Sequence, residues 1–315
     1  MDQPAPERIR LGSSELMVSP LGVGTNTWGF IRKANPALKD TFETALSLGI
    51  NFFDTAEVYQ FHGSELTLGQ FLPAARGSHS NSPVVETKIF PLPWRLSAKS
   101  LLPALQASLA RLKMDDVDIY MIHFPLPPVS IEAWMDAFAG AVEQGLVRAV
   151  GISNYNAEQM KRAYSALEKR GIRLAVNQVE YNLLKREPEQ NGLLALCQSL
   201  GVTLIAYHPL ASGLLTGKYT RESPPPSGRR SLEINRAAIV RVQPLVATLK
   251  QIGEAHAGKT PGQVAINWLM CKGALPIPGA KNLKQLQSNA GALGWRLAPS
   301  EVTSLDAAAD AVCKR

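Results

Sequence analysis

Asp54, Tyr59, Lys88 and His123 stand at, or just beyond, the ends of three successive apolar runs, "INFFD" (50–54), "PVVETK" (83–88) and "VDIYMIH" (117–123). A carboxylate, a phenol, an ammonium and an imidazole brought to one rim would form a proton-transfer set. The carboxylate and the ammonium can pair: two unit charges ~4 Å apart attract by about 4 kcal/mol at an effective dielectric of ~20. Asp54 would then keep Lys88 charged and in place. An ammonium beside Tyr59 would favour the phenolate and draw the phenol down from its usual pKa of about 10. Each residue alone has a plainer reading, as a capping carboxylate, a solvated lysine or a structural histidine. Their shared position at consecutive strand ends is what gives the set chemical meaning.

Placing three strand ends on one rim requires a repeating architecture. Eight short apolar runs recur, at 21–24, 50–54, 83–88, 117–123, 147–153, 174–179, 202–207 and 274–279. Amphipathic stretches separate them, among them "SAKSLLPALQASLARLK", in which Leu101, Leu105, Leu109 and Leu112 share one helical face behind a capping Ser97. Further helical patterns follow residues 36, 130, 156, 188, 232 and 282. Eight β–α alternations without a long all-β or all-α block predict an α/β chain folded as a (β/α)8 TIM barrel, with a doubly wound sheet as the competing arrangement. "RIRLGSSELMVS" ahead of the first strand reads as a β-hairpin turning at "GSSE" and closing the barrel bottom. "TRESPPPSGRRS" (220–231) is a loop insertion after strand seven, while "RGSHSNSP" (76–83) falls at the opposite end. No Pro/Gly/Ser linker divides the chain, so residues 1–315 are expected to form a single domain.

Bulk properties narrow the setting. The 315 residues are 45% hydrophobic, enough for a large core, and 33 basic against 26 acidic residues give a formal charge of +7. The basic residues are scattered rather than striped, which fits a small anionic ligand or merely a solvated surface better than nucleic acid. The opening "MDQPAPERIRLG" shows no apolar leader and no run reaches the ~18 apolar residues of a membrane span, so a cytoplasmic protein without membrane contact is expected. Cys197, Cys271 and Cys313 are odd in number and widely spaced, and no histidine–carboxylate cluster suggests a metal. "GVGTNTWG" has Thr27 where a dinucleotide fingerprint needs its third glycine.

Taken together, "FFDTAEVY", "TK", "IYMIH", "GISNY", "NQVEYN", "AYHPLASGLLTGKY" and "LPIPGAKNLKQLQSNAGALGW" resemble the aldo-keto reductase family over essentially the whole chain, closest to its potassium-channel β-subunit-like and plant or bacterial oxidoreductase branch. The resemblance implies reduction of an aldehyde or ketone by hydride from NADPH, with Tyr59 as general acid, Lys88 and Asp54 as its tuning pair and His123 orienting the carbonyl. It implies that Ser153, Asn154 and Gln178 hold the nicotinamide carboxamide and that Tyr207 stacks on its ring. Pro209, Leu210, Ser212, Leu214 and Lys218 would surround the pyrophosphate. Ile277, Gly279, Ala280, Lys281, Gln285 and Asn289 would take the adenosine and 2′-phosphate, with Gly24 and Thr25 completing the cofactor set. The placement of "PGAKN" before a helix agrees, since helix N-termini attract anions. Trp28, Phe90, Trp94 and Phe124 would make the substrate pocket aromatic and favour an aryl or medium-sized aldehyde. Relatives often carry other residues at His208, Phe124 and Ser288. Two other classes compete: a Schiff-base lyase with Lys88 as nucleophile, and a nucleotide-sensing regulatory protein with weak turnover.

Overall fold

The computed structural model describes residues 7–29, 36–76, 81–225 and 234–313. The opening hexapeptide, the middle of the 76–83 loop and the end of the 220–231 insertion lie outside the described residues.

The expected hairpin forms from β1 (Ile9–Arg10) and β2 (Met17–Val18), antiparallel with Ile9 opposite Val18. Eight parallel strands follow in one sheet whose spatial order is their chain order: β3 (Gly22–Gly24), β4 (Phe52–Asp54), β5 (Val84–Ile89), β6 (Val117–Ile122), β7 (Val147–Ser153), β8 (Leu174–Glu180), β9 (Thr203–Tyr207) and β10 (Leu275–Pro276). A parallel bridge between Gly24 and Gly279 joins the two edges, so the sheet curls into a (β/α)8 TIM barrel. β10 is shorter than the apolar run that marks it. Pro276 and Pro278 lack the N–H a longer ladder needs.

Alternation along the strands sorts the core. Phe52, Val84, Ile119, Met121 and Ala149 point into the barrel, where Leu11, Leu16 and Val18 of the hairpin plug the lower end. Phe53, Val85, Tyr120 and Ile122 point outward against the helices. The same period turns Asp54, Glu86, Lys88 and Ser153 to the interior face above that plug.

Local sequence explains the surrounding helices. Ser130 caps Ile131–Glu143 by accepting from Ala133 N, and Asn156 forms a reciprocal capping box with Gln159 at Ala157–Glu168. Ser97 caps the short 3-10 turn Ala98–Ser100, and the helix Leu101–Leu112 continues from it with the four leucines buried. Three helices among the described residues lie outside the expected patterns: Gly63–Arg76, Pro261–Cys271 and Pro299–Cys313. The first holds Gly69 and Pro73, which read as breakers. Gly69 is there because a Cβ would lie 2.0 Å from the Arg111 carbonyl oxygen of the neighbouring helix.

Candidate active site

β4 delivers Asp54, and its end is fixed by hydrogen bonds from the loop after β3. The Thr25 amide and hydroxyl both donate to the Asp54 carbonyl, at 2.9 and 2.7 Å. Thr55 donates to Ser64 at 2.8 Å, and Ser64 donates to the Thr25 carbonyl at 2.9 Å. Thr25, expected to touch a cofactor, is therefore fully buried with its hydroxyl engaged in holding the strand end.

Lys88 on β5 is buried and donates to Asp54 Oδ1 and to the Thr55 carbonyl, the latter at 2.8 Å. Its Nζ lies 5.3 Å from the Tyr59 ring centroid and 3.3 Å from Glu86 Oε1. Burial works against the ammonium, but Asp54, Tyr59 and Glu86 outweigh it and hold the lysine charged, its pKa raised. For Tyr59 the balance differs from the sequence expectation. Burial raises its pKa, Lys88 opposes this only in part, and the phenol stays protonated well above its ordinary value. His123, immediately after β6, is pulled down to about 3 by burial and by Lys88, so its ring is neutral at physiological pH. It meets Tyr59 edge-on at 5.7 Å, meets Phe90 edge-on at 5.4 Å and stacks on Phe124 at 5.1 Å.

The aromatic wall is smaller than the sequence suggests. Phe90 and Phe124 frame His123 and contact each other at 5.7 Å. Trp28 is fully buried, its indole N–H on the Ala280 carbonyl at 2.7 Å, which makes it a strut beneath the mouth. Trp94 is 72% exposed. Its loop is tied down by Glu57, which accepts from Phe90 N at 2.6 Å and from the Arg95 guanidinium, at 2.9 Å through Nη2.

On β7, β8 and β9 the expected nicotinamide group assembles into one hydrogen-bonded cluster. Asn154, with a left-handed φ of 62°, donates from Nδ2 to the His123 carbonyl and accepts from the Tyr207 hydroxyl, both at 3.0 Å. Ser153 donates to the Gln178 carbonyl at 3.0 Å. After β9 the chain turns through left-handed residues at His208, Ala211 and Ser212 and through Gly213 at φ 100°. This bend carries Pro209, Leu210 and Leu214 past the mouth, with Lys218 exposed at 4.9 Å from the Tyr219 ring. Beyond β10, Gly279, Ala280 and exposed Lys281 precede the helix Leu283–Ala290, capped by Asn282. Gln285 accepts from Lys281 N at 2.9 Å, and Asn289 donates to the Gly279 carbonyl at 3.4 Å. Ile277 is buried with the barrel interior, so its side chain belongs to the core rather than to a cofactor surface.

The donor set suits a nicotinamide dinucleotide. Both hydrogens of the Gln178 amide are taken by carboxyl oxygens, of Asp54 at 2.9 Å and Glu86 at 2.6 Å, which leaves its oxygen as an acceptor. Lys281 and Lys284 supply exposed positive charge at a helix N-terminus. Glu86 and Glu57 are the site residues that sequence reasoning missed. Glu86 sits two positions before Lys88 and therefore on the same strand face, a signal that the "VETK" run contains.

The sequence pattern of the Aldo/keto reductase family matches residues 20–310. A chloroplastic pyridoxal reductase of Arabidopsis thaliana is 40% identical, with 96% of this chain and 86% of that protein covered. A probable voltage-gated potassium channel subunit beta from the same plant is 33% identical over 89% of this chain and 88% of its own. Among solved structures, a thermostable aldo-keto reductase in complex with the inhibitor epalrestat superposes with a TM-score of 0.77 at 29% identity, covering 96% of this chain and 99% of that one.

Proposed function

The chain belongs to the aldo/keto reductase family, and from that premise we propose that it reduces an aromatic aldehyde to the alcohol with NADPH, Tyr59 giving the proton. The observation that carries this reading is the buried pair of Lys88 and Asp54 with the half-buried Tyr59 over the ammonium, beside a neutral His123. When bound, NADPH supplies the hydride. Burial keeps Tyr59 protonated, so the phenol enters the reaction able to donate. As it does so, the phenolate left behind faces the Lys88 ammonium, which favours that charged form. Asp54 keeps the ammonium in place. His123 has no charge to lose and can hydrogen-bond the carbonyl, while Phe90 and Phe124 present apolar edges to the ring of an aryl substrate. The similarity to a pyridoxal reductase supports an aromatic aldehyde of that kind as first substrate to try. Lys281 at its helix N-terminus supports NADPH over NADH, because a 2′-phosphate bound there would meet a cation and a favourable dipole. Lys88 is held as an ammonium, without the lone pair that Schiff-base formation needs, which argues against a lyase.

A second reading has one observation in its favour, the 33% identity to a channel β subunit: a nucleotide-sensing protein with little turnover. One experiment separates the two. The protein is titrated with NADPH and NADH, then mixed with pyridoxal, substituted benzaldehydes and aliphatic aldehydes while nicotinamide absorbance is followed. Turnover of the aryl aldehydes with NADPH supports the reductase. Tight NADPH binding with no oxidation across the panel sinks it in favour of the sensor.

A further inference from the structure

Glu86 is fully buried on the inward face of β5, and the reduction proposed above gives it no task. Its Oε1 accepts from Gln178 Nε2 at 2.6 Å and lies 3.3 Å from Lys88 Nζ, while its Oε2 has no partner among the described residues. The same Gln178 nitrogen donates to Asp54 Oδ1 at 2.9 Å. A primary amide has two N–H donors and one carbonyl acceptor. With both donors committed to Asp54 and Glu86, the carbonyl oxygen is turned away from them. The opposite orientation would press that oxygen against two carboxyl oxygens and leave buried acceptors unpaired.

We propose that Glu86 is a positioning residue: together with Asp54 it locks the Gln178 amide so that its oxygen is presented, as an acceptor only, to the carboxamide N–H of a nicotinamide. The proposal rests on the reductase reading for the identity of the ligand. Without Glu86, one Gln178 hydrogen would lack a partner and the amide could turn its donor face to the mouth. Charge agrees with a hydrogen-bonding rather than an ionic task. One ammonium, Lys88, faces the two carboxyl groups of Asp54 and Glu86, with the neutral phenol of Tyr59 above it. Burial raises the Glu86 pKa well above the carboxylate range, Lys88 opposes this and Asp54 adds to it, so burial disfavours charge on Glu86 while its Oε1 serves as the acceptor for Gln178.

Two substitutions separate an acceptor from a counter-ion. Glu86→Gln retains a carbonyl acceptor of the same reach, and Glu86→Leu removes it at similar volume. Two measurements are made on wild type and both variants: affinity for NADPH against 2′,5′-ADP, which has the adenine and 2′-phosphate but no nicotinamide, and exchange of the Gln178 side-chain N–H protons by NMR without nucleotide. Glu86→Leu should weaken NADPH about tenfold, the loss of one buried hydrogen bond, with 2′,5′-ADP unchanged and Gln178 exchange accelerated by a similar factor. Glu86→Gln should resemble wild type in every reading. Equal losses for both nucleotides, unaltered Gln178 exchange in Glu86→Leu, or Glu86→Gln exchanging fast would each overturn the proposal. If Glu86→Leu fails to fold, the Glu86→Gln exchange rate decides alone. A wild type that binds 2′,5′-ADP but gains nothing from the nicotinamide half removes the reductase reading, and the nucleotide-free exchange data still show whether Glu86 holds Gln178.

Discussion

Around β4, β5 and β6 the mouth is built from side chains gripping side chains, with Lys88 on Asp54, Gln178 on Glu86 and His123 between Phe90 and Phe124. Around β9 and β10 it is built from backbone: left-handed turns at His208, Ala211 and Ser212, a glycine-to-glycine bridge and a helix N-terminus carrying exposed lysines. The first region keeps Asp54, Glu86 and Lys88 out of water and shifts the ionisation of Glu86, Lys88, Tyr59 and His123. The second lies open and offers exposed charge and backbone N–H groups. Proton chemistry needs the former and reversible capture of a charged ligand needs the latter, so one mouth can change its reaction and its cofactor affinity by separate substitutions.

Breaking the first region should cost most. Tyr59→Phe removes the proton donor and keeps the ring, so kcat should fall by ~10²- to 10⁴-fold, with NADPH affinity retained in a fluorescence titration. Retention of more than half the wild-type kcat would end the assignment. The second region should respond in the opposite sense. Lys281→Ala should weaken NADPH by about ten- to a hundredfold, the range expected from losing a charge-assisted contact of roughly 1.5 to 3 kcal/mol, while NADH affinity and kcat stay put. Equal losses for both nucleotides would make Lys281 structural and blur the division between the regions.

A third effect, spread over pH rather than concentrated in one rate or affinity, concerns stability and sharpens the claim that the first region suppresses the His123 charge. His123 has a folded pKa of about 3 against an unfolded value of about 6.5. Between those values the unfolded chain binds a proton that the folded protein refuses. The stability this group contributes is therefore present above ~6.5 and is lost as pH falls through that window, by up to ~1.4 kcal/mol per pH unit. His123→Asn removes the group, so urea melts at pH 7 down to 4 should show a shallower decline than wild type. Parallel declines would mean that the ring is solvated.

The two regions also differ in how far the sequence discloses them. Asp54, Lys88 and His123 are visible because ionisable residues interrupt apolar runs at strand ends, and the same alternation of runs and amphipathic stretches announces the barrel. Glu86 is equally ionisable, but in "VETK" it reads as part of the strand. Recognising it needs the two-residue period applied to a charged residue. The protonation state of Tyr59 is not legible at all, because it turns on whether burial or Lys88 dominates, and burial belongs to the folded chain. Thr25 and Trp28 mislead for a related reason. A hydroxyl or an indole near a mouth looks available until the structure shows it bound to the Asp54 or Ala280 carbonyl. The helix Gly63–Arg76 is hidden because Gly69 serves a helix contact, which a breaker rule misreads.

The seam between Gly24 and Gly279 bears on how the polypeptide is made. The Trp28 to Ala280 bond beside it joins residues 252 positions apart, so β3 emerges from the ribosome long before either partner exists. At synthesis rates of roughly 5 to 20 residues per second, that edge waits for tens of seconds with its ladder groups unpaired, a template for any other extended segment. β3 is only three residues long, and a short edge offers little to such a segment. Brevity there guards the nascent chain, and the last strand to arrive seals the barrel and brings the lysine-bearing loop before Leu283–Ala290 into place in the same act.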